Sequence, residues 1–329
     1  MVSQAISQAN SSFSGLRPFN SSRDLGAVAL LLEEAFREDL GPMHFWSRIP
    51  GLRQVGAQLW AASFAPLPTD LLLGVVWEED RRIIGNVTLT LDESRRRHWL
   101  ISNVAVAENY RRRGIARQMM EAAIQEAIAR GAIWVILNVR PYNTGAVQLY
   151  NELGFRAVDT EMGYIRRRPA RIQHTTLPLR RLKGDEHSAM LDIARAGMSD
   201  QLKLFRPLRP SEFAPNLEDR IAEHVTDFFI AQTTERWGFF RDGSLCAAVT
   251  LRGQHVGTPH SFDVRIHPEA RGLFEDELLT FTLSRLARFP RRDLRTRVLT
   301  SNTALVEALG QSGFVQTRGL MLMAKQVGA

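Results

Sequence analysis

The segment ENYRRRGIARQMM, residues 108–120, places three arginines directly before a glycine at the start of an apolar-periodic run. Arg111, Arg112 and Arg113 would follow a strand, and Gly114 would begin a helix. Unpaired backbone N–H groups converge at a helix N-terminus, where the helix dipole is positive. Three cations work against that dipole, so the segment favours a turn that holds an anion such as a phosphate. A solvated run of charges is the simpler alternative.

Hydrophobic periodicity predicts the elements that must position this turn. Residues 101–109 show the β-branched alternation of a strand. Residues 114–130 predict a helix, because apolar side chains recur every four positions from Ile115 to Ala127. Gly131 then supplies a helix stop. The arginines are therefore predicted to lie on a strand-to-helix turn.

The same pattern occurs twice along the chain. Residues 134–155 and 293–314 both read as an apolar extended run, an Asn-Thr turn and a short helix that ends in Gly-Phe. Upstream, residues 104–114 parallel residues 264–274, and Asp242-Gly243 is typical of a hairpin. Alternating strands and helices in each half predict an α/β fold that is present in two copies.

The length of 329 residues suits two domains. We predict a disordered tail at 1–15, a first domain at 16–170, a linker at 171–178 and a second domain at 179–329. Residues 41–66 are rich in aromatic side chains. They predict either a helix that packs on the sheet or the lining of a substrate pocket.

Bulk composition narrows the possible classes of function. A hydrophobic content of 44%, a single cysteine and no long apolar run predict a cytoplasmic protein with no membrane association. The net charge of +7 attracts anions in general, nucleic acid among them. Because the arginines are scattered and no helix shows a basic face, the sequence argues against a nucleic-acid binder.

Two segments, taken together, resemble the GCN5-related N-acetyltransferases (GNAT). Residues 111–116 match the family pattern Arg/Gln-x-x-Gly-x-Gly/Ala, and residues 143–155 match its second segment. The resemblance implies an α/β fold class with two tandem acyl-CoA N-acyltransferase folds, each a splayed mixed β-sheet flanked by helices. The likeness is strong over the first half and weak over the second.

The resemblance also implies acetyl-CoA as cosubstrate, with no metal. Backbone amides of the turn would take the pyrophosphate, and the preceding strand would pair with the pantetheine arm like an added strand. The cofactor-binding residues that it implies are Val104, Ala105, Val106, Arg111, Arg112, Arg113, Gly114, Ile115, Ala116, Arg117 and Asn143.

Acyl transfer to an amine also needs an acid and a base. Tyr150 matches the tyrosine that serves as general acid toward the leaving thiolate in this family, and a phenol of ordinary pKa near ~10 could give up that proton. The base stays open between a water relay, His98, Asp92 and Glu93. A core aromatic is the alternative interpretation of Tyr150.

The second half departs from the family pattern where the chemistry would be. Phe274 stands in the place of Gly114, Asp276 in that of Ala116, and Leu309 in that of Tyr150. We therefore predict an N-acetyltransferase with one active site, in the first domain, and a degenerate second copy. Its partners would be acetyl-CoA and an amine-bearing acceptor of unidentified structure.

Two further questions stay open from the sequence. A non-catalytic acyl-CoA-binding sensor is the alternative function, although such a sensor would not need Tyr150. The assembly would be either a monomer, whose two domains form a pseudo-dimer, or a homodimer.

Overall fold

A computed structural model of the chain describes residues 14–36, 73–92, 95, 97–167, 175–208, 227 and 231–328. Most of the predicted tail at 1–15 lies outside these residues, as do the aromatic segment 41–66 and residues 171–174 of the predicted linker. No helix in the described part is both long and apolar enough to cross a membrane.

The chain forms two compact units that are not continuous in sequence. The first contains Met1–Val139, Asn143–Arg156 and Leu322–Ala329, and the second contains Arg140–Tyr142 and Ala157–Met321. The C-terminal segment of the chain is thus part of the first unit. The predicted domain ranges of 16–170 and 179–329 differ from this division and stay a prediction.

The described elements of the first unit alternate in the predicted way. In chain order they are β1 (Gly15–Pro18), α1 (Ser21–Ala35), β2 (Leu73–Glu79), β3 (Arg82–Leu91), β4 (His98–Val106), α2 (Ile115–Ala129), β5 (Trp134–Val139) and α3 (Thr144–Glu152). The strands lie in the order β1-β2-β3-β4-β5. Neighbours are antiparallel except for β4 and β5, which are parallel. The C-terminal segment adds to β5, where Val327 N–H donates to Ile133 O at 2.8 Å.

Helix α2 anchors the first unit through one apolar face. Its buried residues are Ile115, Met119, Met120, Ala123, Ile124 and Ala127, which include the whole row that recurs every four positions from Ile115 to Ala127. In the adjacent row that the periodicity also predicted, Ile128 is exposed and Ala116 is half-buried. Burial of a side chain of the size of Met or Ile contributes about 1.5–3 kcal/mol. The helix N-terminus is therefore held firmly at the end of β4, where the arginine turn lies.

The second unit repeats this alternation. Its strands and helices are β6 (Arg156–Arg166), β7 (Arg180–Arg181), α4 (His187–Ala196), α5 (Asp200–Phe205), β8 (Gln232–Arg241), β9 (Ser244–Gln254), β10 (His260–Ile266), α6 (Glu275–Leu286), β11 (Leu294–Leu299), α7 (Thr303–Gln311) and the first part of β12 (Val315–Gln326). The strand order is β6-β11-β10-β9-β8-β7, and β10 and β11 are parallel.

The hairpin predicted at Asp242-Gly243 is confirmed. Arg241 pairs with Ser244, and the two residues between them have positive φ angles of 50° and 77°. Positive φ at both central positions is the geometry of a type I′ turn, whose twist matches that of the two strands. The equivalent hairpin of the first unit, between β2 and β3, turns at Asp80-Arg81, with φ of 48° and 64°. The two copies thus share turn geometry despite different turn residues.

Candidate functional site

The candidate site lies where β4 and β5 part. Their parallel pairing runs from His98–Trp134 to Ile101–Leu137, and β4 then continues to Val106. Among the described strands, none pairs with the β5 side of β4 beyond Ile101. Unpaired backbone N–H and C=O groups at such an opening can pair with an extended ligand. The splayed sheet expected from the sequence is present in the first unit.

A bulge in β4 sets the direction of its last three residues. Asn103 has φ of 53°, and the register of β3 with β4 shifts between Asn86 and Thr88. The Asn86 side chain is 1% exposed, and its Nδ2 donates to Asn103 O at 2.9 Å. Bulges re-aim a strand next to functional sites. The sequence interpretation missed this pair, although an asparagine inside each of two facing apolar runs is its signal.

The turn after β4 leaves the first amides of α2 uncapped. A short 3-10 helix, Glu108–Tyr110, leads into it, and Gly114 is the N-cap residue with φ of 77°. No side chain caps α2, and its first turn holds no acidic residue. Residues 111–114 are exposed. Uncapped amides at a helix N-terminus are suited to an anion, as the arginine segment predicts, and anion binding here stays a prediction.

Gly114 is required for its backbone conformation rather than for lack of space. A Cβ built there would meet only the Gln118 amide nitrogen, at 4.0 Å. The φ of 77° is in the left-handed region, which costs a residue with a side chain of the L configuration roughly 1–2 kcal/mol. The glycine is therefore favoured at this N-cap position, where the chain enters α2.

The arginines of this turn have different neighbours. Arg111 Nε donates to Val106 O at 3.0 Å and ties the turn to the end of β4. Arg113 Nη2 donates to Asn109 O at 2.9 Å, and its guanidinium lies 4.9 Å from the centre of the Tyr110 ring. Arg112, with φ of 63°, has no hydrogen bond or ion pair to any described residue. Arg112 is thus the guanidinium most available to a ligand.

Arg117 links the turn to the neighbouring helix. Its guanidinium forms an ion pair with the Glu152 carboxylate, and both side chains are about 40% exposed (41% and 44%). Hydrogen bonds from Gln148 and Arg117 hold the pKa of the Glu152 carboxyl below its usual range. Such an exposed pair contributes little to stability, but it fixes α3 relative to the start of α2.

Asn143 caps α3. Its Oδ1 accepts the backbone N–H of Ala146 at 3.2 Å, which leaves only its Nδ2 free to donate to a ligand. The second unit has the same cap, where Asn302 Oδ1 accepts from Leu305 N at 3.4 Å. Because both copies keep the asparagine as a cap, helix capping accounts for its presence. The predicted cofactor contact of Asn143 stays a prediction.

Tyr150 lies in the core of the first unit. It is 6% exposed, and its ring meets that of Phe155 edge-on with a centroid distance of 6.0 Å. Burial raises the pKa of its phenol to about 12, so the ordinary value near ~10 expected from the sequence was wrong. The phenol is neutral throughout the physiological range and can donate a proton but not accept one.

The described side-chain candidates for the general base lie at the start of β4, the end away from the arginine turn. His98 begins the strand, eight residues before Val106, which is about 26 Å along an extended chain. Asp92 N–H donates to His98 O at 2.9 Å, so Asp92 lies at the same distant end. Burial, and then Arg95, lower the pKa of His98. This placement favours the water relay over both residues, the identity of the base stays a prediction, and Glu93 lies outside the described residues.

In the equivalent turn of the second unit, a side-chain carboxylate of the chain itself accepts hydrogen bonds from the turn amides. Glu275 begins α6 and is 5% exposed. Its carboxylate accepts Gly272 N–H at 2.8 Å and Phe274 N–H at 3.2 Å. Phe274, in the place of Gly114, packs on Phe239 with a centroid distance of 4.8 Å. The sequence interpretation named Phe274 and Asp276 as the obstacles here and missed Glu275.

Metal chemistry has no obvious site in the described residues. They contain no group of three or more His, Cys, Asp or Glu side chains that could hold a metal ion.

Comparisons with known proteins point to one family. Residues 33–155 match the model of the acetyltransferase (GNAT) family. Over 87 residues the chain is 33% identical to the ribosomal protein bS18-alanine N-acetyltransferase of Salmonella typhimurium. This match covers 26% of the chain and 55% of that protein, so the chain spans about half the length of this curated relative.

Two solved structures extend the likeness of fold to nearly the whole chain. A GCN5-related N-acetyltransferase from Sphaerobacter thermophilus has a TM-score of 0.58 and 15% identity, covering 95% of this chain and 96% of its own. A tandem GNAT protein from the clavulanic acid biosynthesis pathway has a TM-score of 0.50 and 15% identity, covering 95% and 98%. At this identity they show the fold alone, and they confirm the predicted tandem fold class. Residues 33–155, about a third of the chain, are thus similar to the GNAT family of acetyltransferases.

Proposed function

We propose that the chain is an acetyl-CoA-dependent N-acetyltransferase that acetylates a primary amine by direct attack, with a single active site in the first unit. The observation that carries this proposal is the turn after β4. No described side chain caps its helix amides, the exposed residues 111–114 precede them, and the turn follows the unpaired edge of β4. A polyphosphate at the turn and an extended arm along the strand fit these two features together.

Cofactor binding would begin at the turn. The amides of residues 112–117, among them Gly114, Ile115 and Ala116, would donate to the pyrophosphate, and Arg112 would add a charge that no described residue neutralises. Hydrogen bonds from such donors to a charged oxygen contribute about 1.5–3 kcal/mol each. The pantetheine arm would pair with Val104, Ala105 and Val106, whose direction the Asn86–Asn103 bond fixes.

The reaction would proceed by one displacement at the thioester carbonyl. The neutral amine attacks the carbonyl carbon, the C–N bond forms, and the C–S bond breaks with its electron pair leaving on sulfur. A backbone N–H from Val104–Val106 would donate to the carbonyl oxygen as its negative charge grows. A water relay would take the proton of the amine, because the described carboxylate and imidazole candidates lie at the far end of β4.

Tyr150 would supply the proton to the departing sulfur. Complete transfer from a phenol of pKa about 12 to a thiolate near ~8.5 is uphill by about 5 kcal/mol. The phenol would therefore act first as a hydrogen-bond donor to the developing thiolate, and the proton would move when the bound thiolate has become the stronger base. This role fits a buried side chain that keeps its proton at every physiological pH.

The acceptor is best found by a thiol-release screen with acetyl-CoA. The panel should contain small amines, aminoglycosides, a lysine peptide and a peptide with N-terminal alanine, since the Salmonella relative is named as an alanine N-acetyltransferase. Tyr150→Phe serves as the control for background hydrolysis. Release with one acceptor, strongly reduced in that variant, is the expected result. Tight acetyl-CoA binding without turnover on any amine would instead support the sensor function.

A further inference from the structure

The second unit has a cleft of its own between β10 and β11. These strands pair only at His260–Leu294 and Ser261–Arg295, after which β10 continues to Ile266 and β11 to Leu299. The C-terminal end of α4 and the residues after it, Gly197 and Met198, line one side of the opening. The cleft is thus a gap within a sheet, with unpaired strand edges and a helix wall.

Cations dominate the charge of this cleft. Arg265, Arg271 and Arg297 line it, and no Asp or Glu is among its described lining residues. Arg271 Nη2 donates to Gly197 O at 2.8 Å, while its Nε is buried without a hydrogen-bond partner in the described part of the chain. Arg297 is exposed and has no ion pair with any described residue. A buried guanidinium N–H without an acceptor is costly, and an anionic oxygen in the cleft would supply one.

The rest of the lining is apolar. Ile193, Met198, Val264, Val298 and Leu305 supply its aliphatic surface. A ligand that satisfies both parts has an aliphatic body and an anionic head, because guanidinium groups bind carboxylate and phosphate through paired hydrogen bonds.

A coenzyme with a pyrophosphate does not fit this cleft, because the turn beside it is already occupied. The turn that follows β10, where a pyrophosphate would bind, is occupied by the Glu275 carboxylate on the amides of Gly272 and Phe274. Two further acidic residues, Asp276 and Glu277, stand in the first turn of α6. They repel a polyphosphate, whereas a small anion in the cleft does not need this turn.

We propose that the cleft of the second unit binds a small organic anion with an aliphatic body, a carboxylate or a monophosphate ester, rather than a coenzyme. The second copy then is a ligand-binding unit whose site has been redirected, not merely a scaffold.

The full chain is titrated with hexanoate, hexyl phosphate and uncharged hexanamide, and binding is measured by ligand-observed NMR. Each titration is run without and with saturating CoA, which would fill the cleft of the first unit. Hexanoate or hexyl phosphate should bind at least about tenfold more tightly than hexanamide, and CoA should leave that binding unchanged. The stronger of the two anions tells whether the head group is a carboxylate or a phosphate.

Matched variants assign the binding to this cleft. Arg297→Ala, at an exposed position that should not affect folding, should weaken anion binding by about tenfold. Arg291→Ala, another exposed arginine of the same unit outside the cleft lining, should leave it unchanged. Equal affinity for hexanamide, displacement by CoA, or equal loss in both variants would overturn the proposal. A chain that binds hexanoate but not CoA would keep this proposal and refute the proposed acetyltransferase function.

Discussion

The turn after β4 and the turn after β10 share a backbone plan and differ in what satisfies the amides of the turn residues just before the helix. In each, a short 3-10 helix comes between the strand and the turn. Its last residue donates a backbone N–H to the carbonyl oxygen three positions earlier: Tyr110 N to Ala107 O at 2.9 Å in the first unit, and Ala270 N to His267 O at 2.8 Å in the second. In both, no described side chain caps the helix, and in the first no described carboxylate accepts from the amides of the turn. In the second, Glu275 accepts two amide N–H groups.

If the first turn binds a phosphate as proposed, the difference explains how a second copy of the fold can be without this ligand and still fold. A carboxylate at the start of a helix is favourable for the helix, because it complements the dipole and the free N–H groups. The same carboxylate removes the place of a phosphate. Stability and anion binding therefore compete for the same amides, and the two copies resolve this competition in opposite ways.

The largest expected effect comes from copying the second turn into the first. Ala116→Asp reproduces Asp276 at the equivalent helix position. It should weaken acetyl-CoA binding by about a thousandfold, because the added carboxylate repels the pyrophosphate and competes with it for the amides of the turn. The helix should stay folded, since an acid in its first turn complements the dipole. Asp276→Ala is the matched control, and a comparable loss there would contradict the assignment of the site to the first unit.

A second prediction concerns another buried carboxylate of the second unit. Hydrogen bonds from Arg285 lower the pKa of Glu235 to about 2. A depressed folded-state pKa contributes stability above the unfolded value of 4.5, and this stability is lost as pH falls toward 2. The shift corresponds to about 3 kcal/mol. Glu235→Gln should remove it and flatten the pH dependence of denaturant unfolding below 4.5.

The control for this measurement is Glu269→Gln, because the Glu269 side chain is 90% exposed. It should change stability by no more than about 0.5 kcal/mol at any pH. An equally steep pH dependence in Glu235→Gln and in the wild type would show that Arg285 does not stabilise the charged carboxylate.

A third prediction concerns Tyr150, the proposed proton donor. Leu309 stands in its place in the second copy, so only the first copy has this hydroxyl. Tyr150→Phe should lower kcat by about a hundredfold and leave acetyl-CoA affinity unchanged, because a proton donor and not a binding contact is lost. Tyr164→Phe, at a tyrosine of the second unit that is 5% exposed, is the control. If Tyr150→Phe does not lower kcat, Tyr150 is a core aromatic and not the proton donor.

The smallest expected effect tests the closed turn itself. Glu275→Gln keeps the size of the side chain but leaves one accepting oxygen and no charge. It should lower the free energy of unfolding by about 1 kcal/mol. Glu277→Gln, at an exposed position in the same helix turn, should have no measurable effect. Equal stability of both variants would mean that the Glu275 contacts are incidental.

Much of this arrangement could be predicted because it depends on local sequence. The arginine-glycine turn, the buried rows of α2 and the Asp242-Gly243 hairpin each follow from spacing within a few residues. Glu275 could have been found in the same way, since an acid directly at a helix start is a local signal.

Other features depend on contacts that local sequence does not encode. The strand β6 has the same pattern whichever sheet it joins, so its place in the second unit could not be predicted, nor that of residues 322–329 in the first. The bulge at Asn103 depends on Asn86, seventeen positions earlier in the chain. The raised pKa of Tyr150 depends on how completely the fold buries the phenol.

The most direct test of the central claim is a calorimetric titration of the full chain with acetyl-CoA, with Ala116→Asp beside it. The comparison of the two turns predicts one site per chain in the wild type and none in the variant over the same concentration range. Two sites in the wild type, or one site that survives Ala116→Asp, would contradict it, because the second turn would then bind the cofactor despite Glu275.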